Sequence, residues 1–108
     1  MPLIVRPDAR DDLREAAAYY RSIPPPTVGK ALALRFLDAF RACTRTIEAL
    51  GAGRAEHPDI AGAHFLAFGG FPYLAFYTVT SDGTSYVVSI EYATSDYVER
   101  VSKRKAKP

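Results

Sequence analysis

The stretch from His64 to Asp96, HFLAFGGFPYLAFYTVTSDGTSYVVSIEYATSD, is rich in Phe, Tyr, Val, Leu and Ile and contains one Asp-Gly pair. An Asp-Gly dipeptide between two β-rich runs favours a two-residue turn, because both central residues must adopt a positive φ. The stretch therefore predicts a β-hairpin with Asp82-Gly83 at its tip, preceded by another strand.

A two-residue turn would also fix which residues of the hairpin face each other. On one face the predicted pairs are Ser81 with Thr84, Val79 with Tyr86, Tyr77 with Val88, Ala75 with Ile90 and Tyr73 with Tyr92. On the other face they are Thr78 with Val87, Phe76 with Ser89 and Leu74 with Glu91. The first face is apolar, and we expect Tyr73, Tyr77, Val88, Ile90 and Tyr92 to pack against helices. The second face is mixed and carries the only charge, so we expect a sheet that is covered mainly on one side.

Length and composition predict one globular domain over residues 1–108. Hydrophobic residues make up 48% and charged residues 24% of the 108 positions, which is ordinary for a domain that buries a core. The opening MPLIVRPDARDD has too short an apolar run for a signal peptide or a membrane span. We therefore expect a cytoplasmic protein with no membrane contact. Cys43 is the single cysteine, and its apolar surroundings predict a buried thiol instead of a nucleophile.

Two helices are predicted between the first strand and the hairpin. Residues 3–6 form a plausible short strand, and Pro7 suits the first turn of a helix starting near Asp8. The apolar side of this helix is predicted to carry Ala9, Leu13, Ala16, Ala17 and Tyr20. The three prolines at 24–26 end it. The second helix is expected from Thr27, as N-cap, to Leu50, with Gly51 as the C′ residue. Its core stripe is predicted to be Val28, Leu32, Phe36, Phe40, Cys43, Ile47 and Leu50.

These elements predict an α+β fold. An N-terminal strand is followed by an antiparallel helical hairpin, which packs on a mainly antiparallel sheet in the order β-α-α-β-β-β, and the chain closes with a short helix or tail. Residues 51–63, with three glycines and a proline, read as a loop. His57 and His64 are too few ligands for a metal site, and no cofactor is expected.

Two surface features remain outside the predicted core. Leu34 and Leu37 fall on the far side of the second helix, beside Lys30 and Arg41, and are expected to be exposed. They are either isolated surface leucines or a docking strip for a partner helix.

The other feature is a basic tail at 97–108. Five of the fourteen basic residues, Arg100, Lys103, Arg104, Lys105 and Lys107, lie in the last nine positions. A short helix capped by Ser95 or Asp96 is expected to carry them into solvent. The tail is either a solvated terminus or a contact surface for nucleic acid or an acidic partner.

The order of elements and three segments together resemble a known family. The segments are VRPDARDDLREAAAYY at 5–20, FLDAFRACTRTIEAL at 36–50, and FPYLAFYTV followed by YVVSIEYATSD at 71–79 and 86–96. In this order and spacing they resemble the RelE/ParE superfamily of bacterial toxins from type II toxin–antitoxin modules. The resemblance implies that a cognate antitoxin neutralises the chain and that it arrests growth, as plasmid-stabilisation toxins do.

Members of the superfamily act in two ways. RelE-like members are ribosome-dependent mRNA endonucleases that place a base, cations and an acid around one phosphate. This chain departs from their pattern, since 65–98 contain no Lys, Arg or His. Many relatives carry a His-x-x-Arg-Asp-like run where this chain has 91–96, and only Asp96 matches it. Tyr92 or Tyr97 with Arg100 would be a rudimentary pair, but a phenol of pKa about 10 is a poor base.

The missing cations favour the ParE-like branch, whose members bind and poison DNA gyrase. The sequence is therefore interpreted as a gyrase-inhibiting toxin with no catalytic residues, which meets DNA only through gyrase or the antitoxin complex. The alternatives are a RelE-like mRNA endoribonuclease and a degenerate toxin that serves only as an antitoxin-binding corepressor. Residues Tyr97, Arg100, Lys103 and Arg104 are predicted to bind the target, and Leu34, Leu37 and Arg41 to bind the antitoxin.

Overall fold

The computed structural model describes residues 2–107. Its elements are β1 (Leu3–Val5), α1 (Pro7–Arg21), α2 (Pro26–Leu50), β2 (Glu56–His57), β3 (Ile60–Ala67), β4 (Tyr73–Val79), β5 (Ser85–Tyr92) and α3 (Val98–Lys105), with one turn of 3-10 helix (Gly51–Gly53) after α2. The strands form one sheet in the order β1-β5-β4-β3-β2. Strand β1 runs parallel to β5, and the other pairs are antiparallel. The predicted α+β fold is confirmed.

The hairpin of β4 and β5 has the predicted tip but a different turn. Three residues, 81–83, lie between Thr80 and Thr84, whose backbones are hydrogen-bonded at 2.9 Å. Gly83 closes the turn with a φ of 87°, as in the three-residue hairpin loop that ends in a left-handed residue. The prediction of a two-residue turn is therefore wrong, because the turn accommodates one more residue.

The extra residue in the turn shifts the strand pairing by one, and a bulge restores it. Near the tip Val79 faces Ser85 and Tyr77 faces Val87, whereas from Phe76 paired with Ser89 outward the predicted pairs are correct. The bulge lies at Val88, which has no partner on β4. Val87 therefore takes the place on the helix-covered face that was predicted for Val88.

The two faces of the sheet belong to two clusters. The larger cluster joins α1 and α2 to the sheet and contains Phe36, Phe40, Ile47, Phe68, Ala75, Tyr77, Val87 and Ile90. The smaller cluster, on the other face, contains Ile60, Ala63, Phe76, Val88 and Val101 of α3. The predicted positions of Tyr73, Tyr77 and Ile90 under the helices are confirmed. Tyr92 was predicted there too, but it lies exposed at the end of β5 and touches Tyr73.

Helix α1 presents the predicted side to the core, but α2 begins differently from the prediction. It starts at Pro26, with Pro25 before it and no side-chain cap, because a proline suits the first helical position. Thr27 is thus inside the helix and not its N-cap. Val28 and Leu50, predicted for the core, are exposed. The core side near the start of α2 is instead formed by Gly29 and Ala33, which are buried.

Gly29 allows the two helices to approach closely. A β-carbon at this position would lie 2.3 Å from the carbonyl oxygen of Arg21 and 2.5 Å from that of Ile23. No side chain fits in such a gap.

The segment predicted as a loop is partly ordered into strands. Strand β2 and the first residues of β3 lie within 51–63, and they pair with each other through an irregular register. The carboxylate of Glu56 accepts the backbone N–H of Gly62 at 2.6 Å, and Gly62 has a φ of 80°. Gly62 lies within β3, where the pairing with β2 is irregular, and its positive φ accommodates this irregularity. The composition of the segment alone did not distinguish such a paired region from a loop.

Candidate functional site

Helix α3 packs on the face of the sheet opposite to α1 and α2. Val101 is fully buried in the smaller cluster, beside Phe76 and Val88. The ring of Tyr97 lies 4.9 Å from that of Phe76, centroid to centroid. Tyr97 precedes the first residue of α3, so the predicted caps Ser95 and Asp96 lie before the helix and do not cap it. The predicted tail is therefore a docked helix and does not extend freely into solvent.

Arg100 of α3 forms an ion pair with Glu91, which is the next-to-last residue of β5. Its Nη2 lies 2.5 Å from one carboxylate oxygen and its Nε lies 3.0 Å from the other. The Glu91 side chain is only 4% exposed, whereas that of Arg100 is 45% exposed. The hydroxyl of Ser89 also donates to Glu91. This pair makes the single charge within strands β4 and β5 part of the docking site of α3.

Arg104 joins α3 to the first helix. Its guanidinium donates to both carboxylate oxygens of Asp12 and to the hydroxyl of Ser89 at 2.7 Å. Asp12 in turn accepts the backbone N–H of Ile90 at 3.0 Å. Strand β1 pairs with β5 only at 85–87, so Asp12 provides a hydrogen-bond partner on the part of this edge that β1 leaves open. The side chains of Arg104 and Asp12 are both less than one-fifth exposed.

A third ion pair, between Lys107 and Asp8, lies at the exposed end of the same group of charges. The ammonium of Lys107 lies 2.7 Å from a carboxylate oxygen of Asp8, and the Arg104 guanidinium lies 3.9 Å from the same oxygen. We call the residues Asp8, Asp12, Glu91, Arg100, Arg104 and Lys107 the α3 ion-pair cluster. It binds the last helix to α1 and β5 through three carboxylates and three cations.

The charges within this cluster shift the pKa values of Asp8, Arg100 and Arg104 in the directions expected for paired groups. The hydrogen bond from Lys107 holds the pKa of Asp8 below its usual value. The hydrogen bond to Glu91 raises the pKa of Arg100. For Arg104, burial opposes the charged form, but the hydrogen bond to Asp12 and the nearby carboxylates outweigh it and raise the pKa. Both arginines are therefore held in their charged form.

A groove of about 670 Å³ opens beside the cluster. It is lined by Asp8, Asp11, Asp12, Glu15, Ala16, Tyr19, Tyr73, Ile90, Glu91, Arg100 and Arg104. Five of these residues are acidic and two are basic, so this wall of the protein repels anions at long range. Sequence reasoning missed the role of the acidic side chains. Glu91 was the one available signal, because a lone charge in an apolar hairpin needs a partner when it is buried.

The structure brings only part of the predicted target-binding set to the surface. Lys103 is well exposed and pairs with Glu99, one turn earlier on α3. Arg100 is half exposed, whereas Arg104 is mostly covered. Tyr97 is half buried, and its hydroxyl lies 3.0 Å from Nε2 of His57.

The two histidines lie in separate environments. Nδ1 of His57 accepts the backbone N–H of Asp59 at 3.1 Å, so in this arrangement the ring proton is on Nε2, next to the hydroxyl of Tyr97. The ring of His64 stacks on Tyr77, and its Nδ1 lies 2.7 Å from the carbonyl oxygen of Arg54. Within residues 2–107, no three His, Cys, Asp or Glu side chains converge as metal ligands.

Of the three residues predicted to bind the antitoxin, two are exposed as expected and one is not. Leu34 is 52% exposed, as predicted, and Arg41 is exposed and paired with Asp38 at 2.6 Å. Leu37 was expected to be exposed, but it is half buried against the larger cluster. It forms one wall of an apolar groove of about 530 Å³ between the helices, lined by Leu13, Arg14, Ala17, Ala18, Arg21, Ser22 and Leu37.

Comparison with protein families identifies the chain. The sequence model of the ParE toxin of type II toxin-antitoxin systems, parDE, matches residues 3–97. The chain belongs to the ParE toxin family. The predicted resemblance to RelE/ParE toxins is thereby confirmed. The match ends just before α3, so the three carboxylates of the α3 ion-pair cluster lie in the matched part of this ParE-family chain and its three cations lie beyond it.

Solved structures share the fold of this toxin. One is the chromosomal ParDE TA system from P. aeruginosa, with a TM-score of 0.61 and 18% identity, covering 85% of this chain and 95% of that one. Another is a mutant of the E. coli toxin RelE in the free state, with a TM-score of 0.60 and 13% identity, covering 98% of this chain and 97% of that one. At these identities the likeness shows the fold alone. A search of curated proteins found no match. Within residues 2–107, no helix combines the length and apolarity needed to cross a membrane.

Proposed function

We propose that this ParE-family toxin inhibits DNA gyrase by binding it through α3, and that a cognate antitoxin neutralises it. The observation that carries the proposal is the pairing of Arg100 and Arg104 with Glu91 and Asp12. Cleavage of RNA needs cations that are free to stabilise charge at one phosphate. A phosphate placed against these two arginines would also approach the carboxylates that hold them. Binding to a protein surface does not require such a phosphate site.

The exposed side of α3 is the proposed contact with gyrase. Lys103 and Arg100 present the accessible positive charge, and Tyr97 anchors the start of the helix by packing on Phe76. Arginine and tyrosine are enriched among the residues that dominate binding energy at protein interfaces. Arg104 contributes mainly by fixing the helix in place.

Two assays on the purified chain test the proposed target. Inhibition of supercoiling by gyrase, without cleavage of mRNA translated on ribosomes, is the expected result. Lys103→Glu should weaken the inhibition because it reverses a well-exposed positive charge of α3. Lys30→Glu on α2 changes the net charge equally and is exposed, so it is the matched control and should inhibit like the unmodified chain. Equal inhibition by both variants would remove α3 from the gyrase contact.

One observation favours the RelE-like alternative. The imidazole of His57 and the hydroxyl of Tyr97 lie 3.0 Å apart at the β2 edge of the sheet, so both groups are placed to act on the same part of an RNA substrate. If this pair acts on RNA, translated mRNA should be cut at codon-defined positions, and Tyr97→Phe should abolish the cuts. The same variant leaves the ring packing on Phe76 and should not alter binding to gyrase.

We further propose that the antitoxin docks on the helical hairpin. The groove between α1 and α2 is lined mainly by apolar side chains, together with Arg14 and Arg21. Leu34 and Arg41 lie three residues before and four residues after Leu37 on α2, so helical geometry places them near the same side of the helix. An amphipathic helix with acidic residues beside its apolar side is complementary to it.

A further inference from the structure

Three of the five cations in the C-terminal segment are matched by carboxylates from other elements. Arg100 is paired with Glu91 of β5, and Arg104 and Lys107 are paired with Asp12 and Asp8 of α1. We propose that these three carboxylates mask α3 and Lys107, which follows it, so that an anionic ligand binds these cations only in competition with the carboxylates. The inference rests on the proposed target surface and describes how the affinity of that surface is set.

The carboxylates of this cluster compete with an external anion more strongly than those of exposed surface ion pairs would. Exposed pairs such as Lys103 with Glu99 contribute little, because solvent screens both charges. Glu91 is almost completely buried, so moving Arg100 to an external anion would leave a buried carboxylate without its main partner. An anionic ligand therefore binds Arg100 only in the minor state in which the arginine is released from Glu91. The apparent affinity of the protein for the ligand is reduced in proportion to the population of that state.

Two of the three carboxylates, Glu91 and Asp8, can be neutralised to test the proposal, whereas Asp12 is unsuitable. Asp12 binds the backbone of Ile90 as well as Arg104, so altering it would disturb the edge of β5. Glu91→Gln keeps the shape and an acceptor oxygen but removes the charge that holds Arg100. Asp8→Asn does the same for Lys107 at a more exposed site. These two variants release one cation each.

Binding of a short DNA duplex, measured by fluorescence anisotropy over a series of salt concentrations, tests the mask. Both variants should bind the duplex more tightly than the unmodified chain. The slope of log affinity against log salt concentration should steepen by about 0.9 for each released cation. The double variant should show the sum of the two changes.

A matched control is available in the same groove. Asp11→Asn removes one negative charge from the groove wall, but the partner of Asp11 is Arg14 of α1 and not a cation of the C-terminal segment. It should strengthen duplex binding less than Glu91→Gln or Asp8→Asn. If all three variants behave alike, only overall charge matters and the mask is refuted.

The assay also separates this inference from the proposed target, because it contains no gyrase. Absence of gyrase inhibition together with the expected salt slopes would overturn the target and keep the mask. Folding of each variant is checked by circular dichroism and thermal unfolding. If Glu91→Gln unfolds, the comparison of Asp8→Asn with Asp11→Asn decides, since both positions are near the surface.

Discussion

Arg100 and Glu91 form a two-point contact, with Nη2 to Oε1 at 2.5 Å and Nε to Oε2 at 3.0 Å, between the last helix and the last strand. The contact ties α3 to the end of β5 from the polar side. On the apolar side Val101 is fully buried among residues of β3, β4 and β5. Helix α3 is therefore held by charge along one side and by packing along the other.

The first prediction concerns the apolar side of this attachment. Val101→Ala removes two buried methyl groups, and the loss of their burial should lower the free energy of unfolding by about 2 kcal/mol. Urea denaturation followed by circular dichroism measures the change. Lys103→Ala, on the exposed side of the same helix, should change stability little. Equal stability of the two variants would contradict the packing of Val101.

Burial of Val101 also decides how toxicity should be tested. Deletion of residues 97–108 would uncover Phe76 and Val88 in the smaller cluster. Loss of toxicity in such a truncated chain would then reflect exposed apolar surface as well as missing charge. Single substitutions on the outer side of α3 separate the two effects.

The second prediction concerns the close approach of α1 and α2. Gly29→Ala places a methyl group 2.3 Å from the carbonyl oxygen of Arg21, so the helices must move apart. We expect a loss of roughly 1–3 kcal/mol of stability, as for other overpacked sites. Thermal unfolding measures it. Gly53→Ala is the control, because a β-carbon there meets no atom within 4 Å, and its melting temperature should stay close to that of the unmodified chain.

The elements of the fold could be predicted because their signals are local. Proline at 7, the three prolines that end the first helix, the apolar spacing in both helices and the Asp-Gly tip act over a few residues. The bulge at Val88 could not be predicted, because it compensates a turn that is one residue longer than expected. The close approach at Gly29 also depends on the carbonyl of Arg21 in another helix.

The candidate site was harder to predict than the fold, for a related reason. Arg100, Lys103 and Arg104 were recognised from the charge of the tail. The partner of Arg104, Asp12, lies 92 positions away, and helical periodicity gives no information on such a pairing. Leu37 was misplaced because its angle on the helix does not reveal that α1 covers one side of it.

The third prediction concerns the reactivity of Cys43. Burial raises the pKa of its thiol to about 11, so at pH 8 the folded protein should react slowly with Ellman's reagent. Unfolding in guanidinium chloride should make the reaction fast, and Cys43→Ser should show none. A fast reaction without denaturant would contradict the burial of the thiol.

The same pKa shift has a consequence for stability. The folded protein holds the thiol proton more tightly than the unfolded chain, whose thiol has a pKa near 9. The contribution of the buried, protonated thiol to the free energy of unfolding is therefore fully present below pH 9 and is lost as pH rises through about 11. Cys43→Ser should therefore unfold with a weaker dependence on pH over this interval than the unmodified chain.

The last prediction concerns the antitoxin. Leu34 is about half exposed, so Leu34→Asp should leave the fold intact and place a negative charge where an acidic amphipathic helix is expected to dock. Binding should weaken by about 2 kcal/mol or more if Leu34 is an anchor.

Leu37 is half buried against the core, so Leu37→Ala is the suitable change there. Isothermal titration with the antitoxin encoded by a neighbouring reading frame measures both. Val28→Asp, which is similarly exposed on the first turn of α2, is the control and should bind normally. Unchanged affinity for Leu34→Asp and Leu37→Ala would place the antitoxin on another surface.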